Sequence, residues 1–173
     1  MAFRFLGMLA IMVGSTGLGL YYGARETFRL RELLEFKKAL LILASEIEYM
    51  GTPLASACGN IVQRTEGVVQ ALFQNFAQRL EASDSETAYQ LWTQSLGAIK
   101  EKSYMAKEDI VVIDGFGKTL GYLDKELQQN AIAHTIGYIK EKAATLQAAG
   151  DKNKRMYRSL GVIGGLLITI VLW

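Results

Sequence analysis

The stretch "IVVIDGFGKTLGYLDKEL", residues 110–127, decides between two fold classes. A strand, a glycine turn and the Gly-Lys-Thr triplet at 117–119 would indicate an α/β nucleotide-binding domain. A phosphate-binding loop needs a glycine, four further residues and then Gly-Lys-Ser/Thr, because the backbone N–H groups of that long loop wrap the phosphates. Val112 occupies the position of the first glycine, and only one residue, Phe116, separates Gly115 from the triplet. The spacing therefore argues against a phosphate loop.

The same stretch also fits a corner between two helices. "AKED" at 106–109 runs into "IVVID" as one helix, and Gly115 and Gly117 then supply the turn. Thr119 is expected to cap the helix that follows. This interpretation predicts an all-α protein.

The middle of the chain, residues 25–155, is predicted to form an antiparallel six-helix bundle. It contains one proline, and its apolar residues recur at helical rather than strand spacing. Gly51 is expected to end the first helix, with Thr52 as N-cap of the second. Ser83 followed by Glu86 is a capping-box pattern that predicts the start of the fourth. The first five helices are marked by Leu30, Leu33, Leu34, Leu40, Leu41, Ile47 and Met50; by Leu54, Cys58, Ile61 and Val62; by Val69, Leu72, Phe73, Phe76 and Leu80; by Ala88, Leu91, Trp92, Leu96 and Ile99; and by Ile110, Ile113 and Phe116.

The sixth helix, predicted from about Thr119 to Ala149, carries two apolar stripes. One stripe consists of Leu120, Leu123 and Leu127 with His134 and Tyr138 in line, and the other of Ile132, Ile136, Ile139, Ala143 and Leu146. A helix with two apolar faces bends or packs on two surfaces. We expect the isoleucine stripe to pack on the first helix, around 33–41, or on a partner protein.

Both ends of the chain are predicted to cross a membrane. Residues 5–24 are a run of twenty without a charge, about 30 Å as a helix, which matches a hydrocarbon core. A cleaved signal peptide is the alternative, but no clean small-x-small site follows. Residues 156–173 form the second predicted span, with Arg158 extending to the interface; a buried core helix is the alternative there. Small residues at four-residue spacing in both spans favour close helix packing.

Basic residues predict the orientation of the spans. Only Arg4 precedes the first span, whereas basic residues are frequent just inside both: Arg25, Arg29, Arg31, Lys37, Lys38, Lys152, Lys154, Arg155 and Arg158. The positive-inside rule then places the central domain in the cytoplasm and both termini outside.

The sequence offers little for chemistry. Cys58 and His134 are the single cysteine and the single histidine, so no disulfide and no cysteine-based zinc cluster can form within one chain. We expect both to have packing or surface roles, and we predict no catalytic residue, cofactor or metal site. The interval from Arg25 to Arg158 has a nearly neutral charge balance, which argues against a nucleic-acid partner.

Three stretches, at 39–57, 120–132 and 153–173, resemble the stage III sporulation protein AB family. The specific motifs are Glu-Ile-x-Tyr-x-x-Thr-Pro-Leu at Glu46–Leu54 and Leu-Gly-x-x-Asp-x-x-x-Gln at Leu120–Gln128. That family is similar to the cytoplasmic domain of type II secretion and type IV pilus inner-membrane platform proteins. Lys118 stands where the platform proteins have a glutamate, so an acidic ion site at that corner does not carry over.

The resemblance implies a non-enzymatic membrane platform in the mother-cell membrane. It would belong to the channel complex between mother cell and forespore, beside other membrane proteins of that complex and a cytoplasmic secretion-type ATPase. A platform of a pilus or type II-like system outside sporulation is the alternative. An enzyme or nucleotide binder built on Lys118 and Thr119 is a third hypothesis, from a different class.

Overall fold

A computed structural model of the chain describes residues 25–50, 52–83, 85–121 and 124–172; for 49–50 and 151–172 it describes the backbone alone. These residues form six helices and contain no strand, which confirms the all-α prediction. The first predicted span, 5–24, and the side chains of the second, 156–173, lie outside this description. Where side chains are described, no helix combines the length and the apolar character needed to cross a bilayer.

The helices follow one another through short connections. Helix α1 covers residues 25–50, and its last five residues, Glu46–Met50, form a π-helix. The others are α2 (Leu54–Val62), α3 (Gly67–Ala82), α4 (Ala88–Lys100), α5 (Lys107–Gly117) and α6 (Lys125–Leu172). Consecutive helices from α2 to α5 pack on one another. The chain divides into two units, Met1–Phe28 with Ala144–Trp173, and Arg29–Ala143; the sites described below lie in the second.

An aromatic cluster fills the core of that unit. Trp92 of α4 is fully buried, and its ring centroid lies 5.2 Å from that of Phe76, 5.6 Å from that of Phe73 and 5.7 Å from that of Phe116. Phe36 of α1 completes the cluster at 6.1 Å from Phe73. Large rings in edge-to-face contact bury much apolar area and add orientation to it. The cluster therefore joins α1, α3, α4 and α5 around one indole.

Three helix starts differ from the predicted ones. Thr52 does not cap α2; Pro53 precedes its first residue and Thr52 donates to Glu46. Ser83 and Glu86 do bond each other, but one turn too early, since Thr87 caps α4 and forms a capping box with Gln90. Thr119 does not cap α6 either, because its hydroxyl donates to the Phe116 carbonyl.

Of the two apolar stripes predicted on α6, the isoleucine stripe is the one that is mainly buried. Ile132, Ile139 and Ala143 are buried within the single chain, so no partner protein is needed to cover them, although Ile136 is half-buried. In the first stripe Leu127 is 45% exposed, so the predicted apolar stripe is wrong at that position. Leu120 is buried but precedes the helix, and Leu123 lies outside the described residues.

Helix α1 shows a similar division. Leu33, Leu40 and the unpredicted Phe36 are fully buried, whereas Leu34 and Leu41, which also mark the predicted helix, are 39% and 52% exposed. The two exposed leucines are seven residues apart and so lie on one face. The apolar surface of α1 is thus wider than the part of it that the rest of the domain buries.

Candidate functional site: polar contacts at the helix corners

In the corner at 117–121, backbone N–H groups already donate hydrogen bonds within the chain. Helix α5 ends at Gly117, and the N–H groups of Lys118, Thr119 and Leu120 donate to the carbonyls three residues earlier, at 3.2, 3.0 and 3.1 Å. A phosphate cradle needs such N–H groups pointing at the ligand. Here they close the last turns of the helix, so the corner has no cradle.

Lys118 has a surface role at this corner. It is exposed, and its Nζ lies 5.9 Å from the ring centroid of Tyr89 on α4. The Tyr89 hydroxyl in turn donates to Asp114 at 3.0 Å. A lysine over an aromatic ring gives a weak cation–π contact. The contact joins α4 to the end of α5.

The Leu-Gly-x-x-Asp motif that follows forms the entry to α6. Gly121 has a φ of +85°, a conformation that favours glycine, and a Cβ there would lie 3.0 Å from the Cβ of Ala88. The Asp124 side chain accepts from the backbone N–H of Leu127 at 3.2 Å, which makes Asp124 the N-cap of α6. Leu120 is 5% exposed and anchors the turn in the core. The motif is therefore a turn and a cap.

Glu46 of the other motif holds the corner between α1 and α2. It is 8% exposed, and both of its carboxylate oxygens are used. Oε2 accepts from the Thr52 hydroxyl at 2.8 Å, and Oε1 accepts from the Asn60 amide at 2.9 Å. A buried carboxylate requires such partners, since leaving one unmet costs about 1–3 kcal/mol. Glu46, Thr52 and Asn60 therefore fix the chain path from the π-helical end of α1 into α2.

Asp109, in the first turn of α5, accepts four hydrogen bonds. It is fully buried, and Oδ2 accepts from Arg29 Nε at 2.7 Å and from the Ala106 N–H at 2.8 Å. Oδ1 accepts from the Tyr138 hydroxyl at 2.8 Å and from Arg29 Nη2 at 3.1 Å. The carboxylate thus receives donors from α1, from α6 and from the residue before α5.

These contacts set the ionisation of the cluster. Burial acts to raise the pKa of Asp109, but the hydrogen bonds from Arg29, Ala106 and Tyr138, together with the Arg29 charge, outweigh it and hold that pKa below its usual value. Burial and the Asp109 carboxylate raise the pKa of the Tyr138 hydroxyl. Asp109 is therefore a charged acceptor with four donors, and no oxygen lone pair is left for a substrate proton.

Sequence reasoning missed the Asp109 cluster. Acidic residues at a helix start are common because they favour the positive end of the dipole, so nothing separated Asp109 from Glu108. Its partners Arg29 and Tyr138 are distant in sequence. Glu46, by contrast, carries a signal, since it opens the first of the two motifs.

The single cysteine and the single histidine have different surroundings. Cys58 is fully buried, and burial raises the pKa of its thiol to about 12, which makes it inert. His134 lies on the exposed side of α6. Within the residues whose side chains are described, no three His, Cys, Asp or Glu side chains are placed to hold a metal ion.

Comparison with known proteins identifies the family. The family model described as stage III sporulation protein AB matches residues 4–173. The chain belongs to the stage III sporulation protein AB family. It is 32% identical over 169 residues to the stage III sporulation protein AB of Bacillus subtilis (strain 168), with 98% of each chain covered. A solved structure of stage III sporulation protein AB (SpoIIIAB) is similar with a TM-score of 0.66 and 30% identity, covering 72% of this chain and 97% of that one.

The family gives the corners a context. The Glu46–Leu54 and Leu120–Gln128 motifs, on which the resemblance to stage III sporulation protein AB rested, are the two polar corners described above. Membership in this family supports a role in sporulation, within a complex of sporulation proteins. In the described residues, the side chains of Glu46, Thr52 and Asp124 in these motifs form hydrogen bonds that hold the two corners.

Proposed function

We propose that this chain is a non-enzymatic membrane platform of the channel complex between mother cell and forespore during endospore formation. Two spans, 5–24 and 156–173, would anchor it, with the central domain in the mother-cell cytoplasm. Its partners would be other membrane proteins of the complex and a cytoplasmic secretion-type ATPase that supplies the energy. The proposal takes the sporulation role from the family and adds how the chain would serve it.

The observation that carries the proposal is the use of the motif side chains. Glu46, Gly121 and Asp124 fix the path of the backbone. Catalytic residues must reach a substrate within hydrogen-bond distance, whereas these residues contact their own chain. Because the motif residues have structural rather than catalytic roles, they favour a protein that provides a surface for assembly.

The corner at Lys118 supports the same conclusion against a nucleotide enzyme. Its N–H groups bond the end of α5, and its ammonium group lies over Tyr89. The energy for transport would then come from a partner, which agrees with the predicted cytoplasmic position of the domain.

The proposal is tested in a sporulating bacterium that lacks its own stage III sporulation protein AB. The full chain, tagged in the exposed connection before α4, is expected to restore heat-resistant spores and to copurify from membranes with the secretion-type ATPase. The purified full chain is expected to hydrolyse no ATP. ATP turnover that Lys118→Ala abolishes would overturn the non-enzymatic assignment, and recovery of the tagged chain in the soluble fraction would overturn the membrane platform.

A further inference from the structure

Helix α1 binds the connection between α4 and α5 through two side chains one turn apart, Arg29 and Glu32. Glu32 Oε2 accepts from the Ser103 hydroxyl at 2.7 Å and from the Tyr104 N–H at 2.9 Å. Ser103 Oγ also accepts from the Met105 N–H at 3.1 Å, which folds the connection onto itself. Arg29 binds Asp109 at the other end of the same segment. Residues 103–109, which we term the clasp, are therefore held to α1 at both ends.

The clasp also binds α6. Asp109 Oδ1 accepts from the Tyr138 hydroxyl at 2.8 Å and from Arg29 Nη2 at 3.1 Å, so a single oxygen is shared between α6 and α1. The Asp109 side chain is fully buried and that of Arg29 is 17% exposed, so water screens this pair little. The two long helices are thus connected through one carboxylate.

Polar and apolar contacts between α1, the clasp and α6 differ in how strictly they fix the relative position of the helices. Leu33 of α1 and Ile139 of α6 are fully buried, but apolar burial is non-directional and tolerates sliding and rotation of a helix. A bidentate guanidinium–carboxylate pair fixes both distance and angle. The Tyr138 hydroxyl of α6 donates to the same carboxylate, so the fixed geometry includes α6. The clasp therefore contains the directional contacts that apolar packing lacks.

We propose that the clasp sets the position of α6 relative to α1, with Asp109 and Tyr138 as positioning residues. The clasp transmits a displacement of either helix to the other, because neither can shift without carrying the 103–109 segment or breaking its bonds. The significance for assembly rests on the proposed function, since α1 and α6 are the two helices that continue in sequence toward the predicted spans.

The test measures a spin-label distance in the purified full chain. Cysteines replace Leu34 on α1 and His134 on α6, both at exposed positions, and the buried native Cys58 remains unlabelled. In the parent the distance distribution is expected to be narrow. Tyr138→Phe removes the hydroxyl that reaches Asp109 and is expected to broaden or shift the distribution. Unchanged distributions in Tyr138→Phe would overturn the proposal.

Tyr89→Phe is the matched control. It also removes one tyrosine hydroxyl from an aspartate, at 3.0 Å from Asp114, but between α4 and α5. It is expected to leave the α1–α6 distance unchanged; an equal broadening there would show general loosening and contradict the clasp. Ser103→Ala provides a second variant at the far end of the segment. It removes a bond to Glu32 and is expected to broaden the distribution as Tyr138→Phe does, whereas no change would overturn the role of the clasp.

Spore counts for the same variants separate the two proposals. A chain that restores no spores in any form contradicts the proposed function, while the distances, measured on purified protein, still decide the clasp. Distances that change in Tyr138→Phe, accompanied by fewer spores than Tyr89→Phe yields, support both.

Discussion

Gly117 at the end of α5 lies directly against the indole ring of Trp92 on α4. A Cβ on Gly117 would overlap Trp92 Cδ1 and approach its Nε1 and Cγ. The indole cannot turn away, because its Nε1 donates to the Ile113 carbonyl at 3.1 Å and Phe73 and Phe76 pack edge-on against it. The glycine that suggests a phosphate loop in the sequence is thus present for packing.

We expect Gly117→Ala to destabilise the protein strongly. The new methyl group would force Trp92 or α5 to move, and overpacking of this kind costs about 1–3 kcal/mol or more. Gly115→Ala is the matched control two residues away, since nothing lies within 4 Å of a Cβ there. It should be neutral or slightly stabilising, because alanine favours a helix. Thermal midpoints of both variants check this, and equal midpoints would show that the close contact with Trp92 is wrong.

We expect Lys118→Ala to be mild. Lys118 is exposed, and its contact with the Tyr89 ring is worth no more than about 1 kcal/mol. The variant should fold, keep a midpoint close to that of the parent and support spore formation. A Lys118→Ala protein that folds normally but yields no spores would restore the phosphate-binding hypothesis for this corner.

Local patterns in the sequence predicted the helices well and their ends poorly. Apolar spacing placed Leu72, Phe76 and Trp92 in the core, and all three are buried. Caps were misplaced where a second polar residue competed: Thr87 lies four residues after Ser83, and Asp124 five after Thr119. Each candidate satisfied the local rule, and tertiary contacts selected between them.

Long-range polar contacts left no local signal. Arg29 and Asp109 are 80 residues apart, and either could have been a surface charge by pattern alone. The exposure of Leu34 and Leu41 was unpredictable for a related reason, since a helix with a wide apolar face does not reveal which part its own domain covers. The resemblance, rather than any residue pattern, gave the sporulation role.

We expect Asp109→Asn to lower the free energy of unfolding by on the order of 3 kcal/mol, because it removes the charged, bidentate acceptor of the largely buried Arg29 guanidinium. Asp114→Asn is the control. Asp114 accepts from Tyr89 and Thr93 at 3.0 and 3.1 Å near the surface, so its loss should cost about 1 kcal/mol. Denaturant unfolding of both variants measures the difference, and equal costs would contradict the structural importance of the four hydrogen bonds to Asp109.

Asp109 should also give the protein a specific acid sensitivity. Its folded-state pKa lies below the ordinary value of 3.8, so the carboxylate stabilises the fold at neutral pH. That contribution is lost as the pH falls below about 4 and through the lowered folded-state pKa. The stability gap between parent and Asp109→Asn should therefore shrink on acidification below pH 4. Glu32, whose pKa burial raises, is present in both proteins and cancels; a gap that stays constant would contradict the lowered pKa.

We expect Cys58 to be unreactive in the native protein. Its side chain is fully buried and its pKa is raised to about 12, so at pH 8 almost no accessible thiolate exists. A thiol reagent should label the chain only after denaturation. Rapid stoichiometric labelling under native conditions would show that α2 opens, and the distance measurement would then need Cys58→Ser as its background.

The predicted topology gives the last test. Nine basic residues lie just inside the two spans and one lies outside, so the positive-inside rule places both termini outside the cytoplasm. A reporter fused after Trp173 should register outside the cytoplasm. The matching internal reporter belongs at the exposed Ser85 before α4, because Ser103, in the connection before α5, donates to Glu32 and an insertion there would break the clasp. We expect the Ser85 reporter to register in the cytoplasm. A Ser85 reporter outside, with the one after Trp173 inside, would reverse the orientation; both inside would remove one span.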